Sequence, residues 1–248
     1  MKNINKRAFT MAEMMVVVVI LGVIAALVLP GMIQDHQKQI NLAKTAKWYN
    51  EISKMVAMKN LEEDDGIATK TVNSHGIAYL TTLDEAFEFF KPLRPIKIDT
   101  STEKKRWTYH WLSGEVCDQR TCLYNGGATV LQLPDGATIN TSTYAGDIAY
   151  KAFAIDPNGK KGPNIVGQDL FIFAITEENG VQPVGSPGAG TGEELFGEYD
   201  RDVLTGKKAP SRGGDSSYAC SENAAKGGFW CSALLRMDGW TFKEDYPY

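Results

Sequence analysis

The fold is decided by residues 9–30, which read FTMAEMMVVVVILGVIAALVLP. From Met14 to Leu29 no side chain carries a charge or a strong hydrogen-bonding group, and Glu13 is the one charged residue in the wider apolar block. A helix over this block rises about 31 Å, which is roughly the hydrocarbon thickness of a bilayer. The stretch therefore predicts a membrane-spanning helix.

The charges that precede this helix indicate its orientation. Lys2, Lys6 and Arg7 form a short basic segment, and no acidic residue comes before Glu13. Because basic residues favour the cytoplasmic side of a membrane, we expect a cytoplasmic N-terminus and a translocated remainder.

The composition of the whole chain restricts the possible protein classes. With 248 residues, 43% of them hydrophobic and 23% charged, the chain has room for one large globular domain or two small ones. A formal net charge of −4 gives no electrostatic reason to expect nucleic-acid binding. The slightly negative mean hydropathy of −0.25 excludes a polytopic membrane protein.

Glu13 discriminates between three interpretations of the apolar helix. A cleaved secretory signal peptide needs a small-residue cleavage site after the apolar run, yet the helical pattern continues past Pro30. A plain signal anchor gives Glu13 no role, although a lone carboxylate in lipid costs several kcal/mol unless it is paired. The third interpretation, described next, assigns a function to Glu13.

The sequence Ala8-Phe9-Thr10-Met11-Ala12-Glu13, followed by the apolar run and Pro30, resembles the class III signal of type IV pilins and type II secretion pseudopilins. The resemblance implies that a prepilin peptidase cuts between Ala8 and Phe9, and that Phe9 is then N-methylated. It implies that Glu13 pairs with the cationic amine of a neighbouring subunit during assembly, and that Pro30 is the helix-kinking proline. Family members usually have Gly before the cleaved bond, where this chain has Ala8.

Beyond Pro30 the helical pattern continues and becomes amphipathic. Apolar residues recur at intervals of three and four, namely Leu42, Ala46, Tyr49, Ile52 and Val56. The acidic run 62–65 and Gly66 predict a helix end near Leu61. Pro30 should bend the helix or melt one turn, since it cannot donate to the preceding turn. We expect the apolar face to pack on a sheet.

The remaining sequence predicts an α+β head domain with a mostly antiparallel sheet. Residues 129–133 and 137–141 flank Pro134-Asp135-Gly136, which is typical of a hairpin turn, and Trp107, Tyr109 and Trp111 alternate as in a strand. The predicted organisation is a leader at 1–8, a transmembrane segment at 9–30, an amphipathic continuation at 31–62 and a head domain at 63–248. Within the head, the Gly-rich residues 185–217 are expected to form a flexible loop.

The four cysteines predict disulfide bonds. An even count in a translocated chain suggests two bridges, and we expect local pairing of Cys117 with Cys122 and of Cys220 with Cys231. Four cysteines allow three connectivities, so the sequence leaves the pairing open. The resemblance to pilins adds that a C-terminal disulfide often bounds a variable surface region.

Residues 156–169 contain the highest concentration of turn-forming residues in the chain. Oxygen donors at Asp156, Asn158, Asn164 and Asp169 could surround a hard cation such as Ca²⁺, and the resemblance extends to major pseudopilins, which bind calcium in their heads. The spacing is not that of an EF-hand, and the neighbouring lysines 160 and 161 oppose a cation. Turns stabilised by Asn and Asp side chains explain the same residues without an ion.

No sequence pattern supports an enzyme. The chain has no Gly-x-Ser-x-Gly elbow, phosphate-binding loop or paired-histidine metal motif. The resemblance implies a structural subunit of a type IV pilus or a type II secretion pseudopilus, anchored in the bacterial inner membrane with a periplasmic head. Its expected partners are membrane lipid, copies of itself or related pilins, a prepilin peptidase, and an assembly platform with its ATPase. Two alternatives are a minor pilin acting as an adhesin or substrate-binding module, and an anchored periplasmic protein that does not polymerise.

Overall fold

The structure is a computed structural model that describes residues 10–62, 77–78, 83–99, 108–117, 129–141, 152–176, 179–187, 189, 199–210 and 216–248. These residues form four α-helices and seven β-strands. The chain divides into two compact units, with the boundary between Ile40 and Asn41.

The first helix, α1, spans Met11–Glu62, so its end agrees with the predicted one. In the first unit its large apolar side chains are solvent-exposed, and those between Met14 and Leu29 have exposed fractions of 49% to 78%. Within the described residues, α1 is the helix that is long and apolar enough to cross a membrane. Residues on both sides of Pro30 are helical, so no turn is melted there, and the bend at Pro30 stays a prediction.

In the second unit, the remainder of α1 buries one face. Its buried side chains recur every three or four residues, at Leu42, Thr45, Trp48, Tyr49, Ile52, Met55 and Val56. The Tyr49 ring stacks on Phe173 of the sheet, with 5.5 Å between ring centroids. The predicted packing of this apolar face on the sheet is therefore confirmed, although Ala46 is only half-buried.

The head domain is built on one antiparallel sheet. Its strands are β1 (Ile77–Ala78), β2 (Ile96–Asp99), β3 (Thr129–Gln132), β4 (Thr138–Thr141), β5 (Ala152–Asp156), β6 (Phe171–Thr176) and β7 (Gly180–Pro183). Strands β2 to β6 pair in sequence order, and β6 also pairs with β7 and β1. All six residues of β6 are buried. With α2 (Leu83–Phe90), α3 (Arg201–Leu204) and α4 (Cys231–Met237), the architecture is α+β and pilin-like, as predicted.

The predicted hairpin between β3 and β4 is confirmed. Leu133 N–H donates to Ala137 O at 2.8 Å and Gly136 N–H donates to Leu133 O at 3.0 Å. Gly136 has φ +86°, which a residue without Cβ adopts at little cost. The turn places Asp135 below α1, where the Trp48 indole N–H donates to its carboxylate at 2.9 Å.

The strand predicted at residues 107–111 does not form over its described residues, 108–111. His110 makes only isolated bridges, to Val116 and to Ile165. The reason is an immediate tight turn, in which Trp111 N–H donates to Glu115 O at 2.8 Å and Gly114 N–H donates back to Trp111 O at 2.9 Å. Trp107 lies outside the described residues.

Part of the predicted loop 185–217 is ordered. Residues 201–204 form α3, whose Val203 and Leu204 are buried, and Asp200 caps the helix by accepting Val203 N–H at 2.9 Å. The loop was predicted from the glycines of this stretch, and the tendency of Asp200 to cap a helix was not considered. Residues 188, 190–198 and 211–215 lie outside the described part of the chain.

Candidate functional site

A capping box opens α1 at the residues that the pilin resemblance singles out. Glu13 Oε2 accepts the backbone N–H of Thr10 at 2.8 Å and its hydroxyl at 2.9 Å, and Thr10 Oγ1 accepts Glu13 N–H at 3.2 Å. Thr-x-x-Glu before an apolar run is a known start signal for helices, which the sequence analysis did not use here. Glu13 therefore has a local structural role in addition to its predicted role in assembly.

In this geometry the Glu13 carboxylate binds the backbone N–H of Thr10, the residue that follows the predicted new N-terminus in the sequence. Ala8 and Phe9 lie outside the described residues, so the cleaved bond and the methylation stay predictions. Thr10, whose N–H is held by Glu13, is joined directly to Phe9. A cut before Phe9 would thus create an amine one residue away from an N–H that the carboxylate already binds.

The four residues predicted to surround a cation do come together, and we call them the polar cluster: Asp156, Asn158, Asn164 and Asp169. Asp156 ends β5, and its Oδ1 accepts the N–H of Asn158 at 3.0 Å. Asp169 precedes β6; its Oδ1 accepts Asn158 Nδ2 at 3.1 Å and its Oδ2 accepts Asn164 N–H at 2.6 Å. Asn164 has φ +57°, a conformation that Asn tolerates better than most residues.

Three side chains from distant parts of the sequence complete the surroundings of the polar cluster. Tyr109 Oη donates to Asp156 Oδ2 at 2.6 Å and accepts Asn140 Nδ2 at 3.1 Å. Asn41 of α1 donates to Asp169 Oδ1 at 3.4 Å. Sequence analysis missed all three, because their separations from the cluster run from 16 residues upwards and no local pattern connects them.

Burial dominates the electrostatics of the polar cluster. Asp156 and Asp169 are both fully buried. Burial raises the pKa of Asp156 well above its ordinary value, and the charge of Asp169 adds to this, while hydrogen bonds from Tyr109, Asn158 and Gly159 oppose it. Burial likewise raises the pKa of Asp169 to about 6 against the hydrogen bonds from Asn164, Ile165, Asn158 and Asn41.

Comparison with protein families gives two results. Residues 115–248, more than half of the chain, match one family model. The chain belongs to DUF6613, a family of unknown function. Residues 3–29 match the prokaryotic N-terminal methylation motif, which is the prepilin-type signal of type IV pilins and pseudopilins. Searches of curated proteins and of solved structures found no match.

The polar cluster lies within the DUF6613 region, and so does the predicted disulfide between Cys220 and Cys231, which is confirmed. The disulfide packs against the loop that carries Asp169: a Cβ on Gly167 would lie 2.6 Å from Cys231 Sγ. Cys117 is also disulfide-bonded, and its predicted partner Cys122 lies outside the described residues.

The C-terminal residues of the DUF6613 region hold the same loop from another side. Tyr246 Oη donates to Gly167 O, Tyr248 Oη donates to Gln168 O at 3.4 Å, and Gln168 Nε2 donates to Pro247 O at 3.3 Å. Tyr246 is buried. The loop therefore gains contacts from the disulfide and from this C-terminal segment.

Arg201 of α3 fastens the C-terminal segment to the domain. Its guanidinium bonds Asp238 at 3.0 Å and Asp245 at 2.6 Å. Arg201 and Lys207 hold the pKa of Asp245 well below its usual range. Burial opposes ionisation of Asp238, but the hydrogen bonds from Arg201 and Lys243 outweigh burial and keep its pKa below the ordinary value.

Among the described residues of this DUF6613 chain, no group of three or more His, Cys, Asp or Glu side chains is placed to hold a metal ion. The polar cluster offers two carboxylates, so a metal there would also need amide oxygens. The family comparison gives no sign of catalysis either, and pilin-type subunits are generally structural rather than enzymatic.

Proposed function

We propose that the chain is a structural subunit of a type IV pilus or of a type II secretion pseudopilus. The observation that carries the proposal is the N-terminal methylation motif at residues 3–29. The motif is the signal that a prepilin peptidase reads, and such processing precedes assembly with other pilins. An assembly platform and its ATPase are the further partners of the proposal.

The structure supports this proposal through the unequal burial of α1. Its residues 14–29 expose apolar side chains that need lipid or other helices around them. From Asn41 onwards the same helix is packed into the head domain. This arrangement suits a subunit that is first anchored in the inner membrane, with its N-terminus cytoplasmic and its head periplasmic, and that later contributes its helix to a filament.

In this proposal, assembly depends on the pairing of opposite charges inside the membrane, where water is absent. A carboxylate in a membrane is costly alone and much less costly beside an ammonium group. Glu13 of one subunit would meet the processed amine of the next and fix the axial register. Because Glu13 also caps its own helix, an experiment must separate its charge from its capping role.

Two substitutions make that separation. Glu13→Ala removes both the charge and the cap, whereas Glu13→Gln removes the charge and keeps a side chain that can complete a capping box. We expect both variants to insert into the membrane and neither to assemble into filaments, as judged by electron microscopy of sheared cells. Asp35→Asn, at an exposed acid of α1, is the control and should assemble normally. Filaments formed by Glu13→Gln would contradict the pairing.

The processing step is tested by the intact mass of the protein purified from its membrane. We expect loss of residues 1–8 and the gain of one methyl group on Phe9. A chain that still begins at Met1 would favour an anchored protein that does not polymerise. Scarcity of the subunit in purified filaments, or its confinement to their tips, would favour a minor pilin that acts as an adhesin or substrate-binding module.

A further inference from the structure

The face that α1 buries in the head domain repeats itself along the helix. Its buried side chains recur seven residues apart, in the sets Leu42, Tyr49 and Val56; Thr45 and Ile52; Trp48 and Met55. A helix that slid along its axis by seven residues, or two turns, would bring these buried positions onto one another, and a slip of three or four residues would do so for several of them. Because apolar burial has no direction, this face does not by itself select one register.

The hydrogen bonds between the same part of α1 and the head domain do not repeat. Asn41 Nδ2 donates to Asp169 Oδ1 at 3.4 Å, just before β6. One turn later, Lys44 Nζ donates to Asp135 O at 3.1 Å and to Pro157 O at 3.2 Å. The Lys44 ammonium group therefore joins the β3–β4 turn to the residue that follows β5.

Two aromatic side chains add bonds in the next turn of the helix. Trp48 Nε1 donates to Asp135 Oδ2 at 2.9 Å, and Tyr49 Oη donates to Val181 O of β7 at 3.3 Å. We call Asn41, Lys44, Trp48 and Tyr49 the register residues. Hydrogen bonds weaken steeply with distance and angle, so these four side chains meet their acceptors in one register only.

Other registers of α1 would replace these bonds by unfavourable contacts. A slip of three residues puts Glu51 in the place of Trp48, where it faces the Asp135 carboxylate. A slip of seven puts Glu51 in the place of Lys44, against two carbonyl oxygens. A slip of four puts Ile52 in the place of Trp48 and removes the indole donor from Asp135. Slips of three or four residues in the opposite direction take the ammonium group away from the two carbonyl groups.

We propose that the register residues are positioning residues, which fix the place of α1 along its own axis on the head domain. The link between α1 and β1, residues 63–76, is long enough to follow a slip of one turn, so the chain connection does not set the register. Since α1 is one helix from Met11 to Glu62, a slip of one turn changes the length of helix between Glu13 and the head domain by three or four residues.

The consequence of this register for assembly rests on the proposed function. In a filament, Glu13 would fix the axial position of the helix, and the register residues would fix the head domain on that helix. Two subunits that differed by one turn would have their heads misaligned by about 5.4 Å. Such a displacement exceeds the range of a hydrogen bond, so equivalent heads could not make equivalent contacts. A regular polymer therefore needs a single register.

The register can be measured in the full-length protein in detergent micelles. Nitroxide labels are attached to encoded keto amino acids at the exposed positions Ala57 and Lys161, so that the disulfides stay oxidised. Pulsed dipolar electron paramagnetic resonance should give one distance for the wild type. The triple variant Asn41→Leu/Lys44→Met/Trp48→Phe removes three donors and keeps an apolar face. We expect it to show a second distance, changed by up to about 5 Å for each turn of slip.

Control variants separate the register from stability. Ser232→Ala removes the buried bond from Ser232 Oγ to Ile172 O at 2.7 Å, which joins α4 to the sheet, so it should destabilise the head and keep one distance. Lys44→Arg keeps a cation for both carbonyl groups and should also keep one distance. If the triple variant does not fold, Asn41→Leu/Lys44→Met, which retains Trp48, gives the same comparison. One unchanged distance in a folded triple or double variant would overturn the proposal, as would a second distance in Ser232→Ala.

Filament assembly does not enter the distance measurement, so failure of the register and failure of the proposed function can be told apart. The triple variant retains Glu13 and the processing signal, so in cells it should lose its leader and give few or irregular filaments in electron micrographs. Regular filaments from a variant that shows two distances would overturn the consequence for assembly.

Discussion

Replacement of Gly167 by Ala tests the packing of the disulfide against the loop that carries Asp169. Gly167 has φ +88°, and a Cβ at this position would lie 2.6 Å from Cys231 Sγ and 3.0 Å from Gly228 Cα. The second contact is with backbone and the first with a cross-linked side chain, so neither neighbour can move away easily. Both the backbone conformation and the available space therefore oppose the methyl group.

The expected magnitude combines these two effects. A non-glycine residue at positive φ costs about 1–2 kcal/mol, and forcing an extra methyl group into a packed interior costs about 1–3 kcal/mol. We expect Gly167→Ala to lower the free energy of unfolding by about 3 kcal/mol. Gly114→Ala is the matched control: its φ is +86° with no atom within 4 Å of the added Cβ, so it should cost only about 1 kcal/mol.

The assay is urea unfolding of the full-length protein in detergent, followed by tryptophan fluorescence. Trp230 is fully buried next to the disulfide and should report the loss of the head domain. If Gly167→Ala and Gly114→Ala lower the free energy of unfolding equally, the close contact with Cys231 has no energetic consequence and the reasoning is refuted.

Two further predictions concern side-chain bonds of the head domain. Asp135→Ala should destabilise it by about 2 kcal/mol in urea unfolding, because the buried Trp48 indole loses its acceptor; an unchanged midpoint would contradict this. Arg201→Gln should destabilise the protein at pH 7 and by a somewhat smaller amount at pH 3. The pKa values of Asp238 and Asp245 are lowered in the folded state, so their contribution is present above about pH 4 and is lost as the pH falls through the lowered values. An equal loss at both pH values in urea unfolding would exclude this explanation.

Features with local signals could be predicted from the sequence. The apolar run of residues 14–29 and the turn residues 134–136 identified the long helix and the β3–β4 hairpin, since each depends on neighbouring residues only. The polar cluster was found for the same reason, because all four of its residues lie between 156 and 169.

Features that depend on distant contacts could not be predicted in this way. Tyr109 and Asn140 join the polar cluster only after β4 and β5 have paired. The alternation at residues 107–111 predicted a strand, but a tight turn at 112–114 competes with it and leaves isolated bridges. In α3 a capping signal at Asp200 was present and was outweighed by the glycines before it.

The bonds between α1 and the loops of the head domain have a mechanical consequence. Lys44 donates to the carbonyl groups of Asp135 and Pro157, and Trp48 donates to the Asp135 carboxylate. A pulling force transmitted along this part of the helix would load the turn at Asp135 and the loop at Pro157 before it reached the ladder of the sheet.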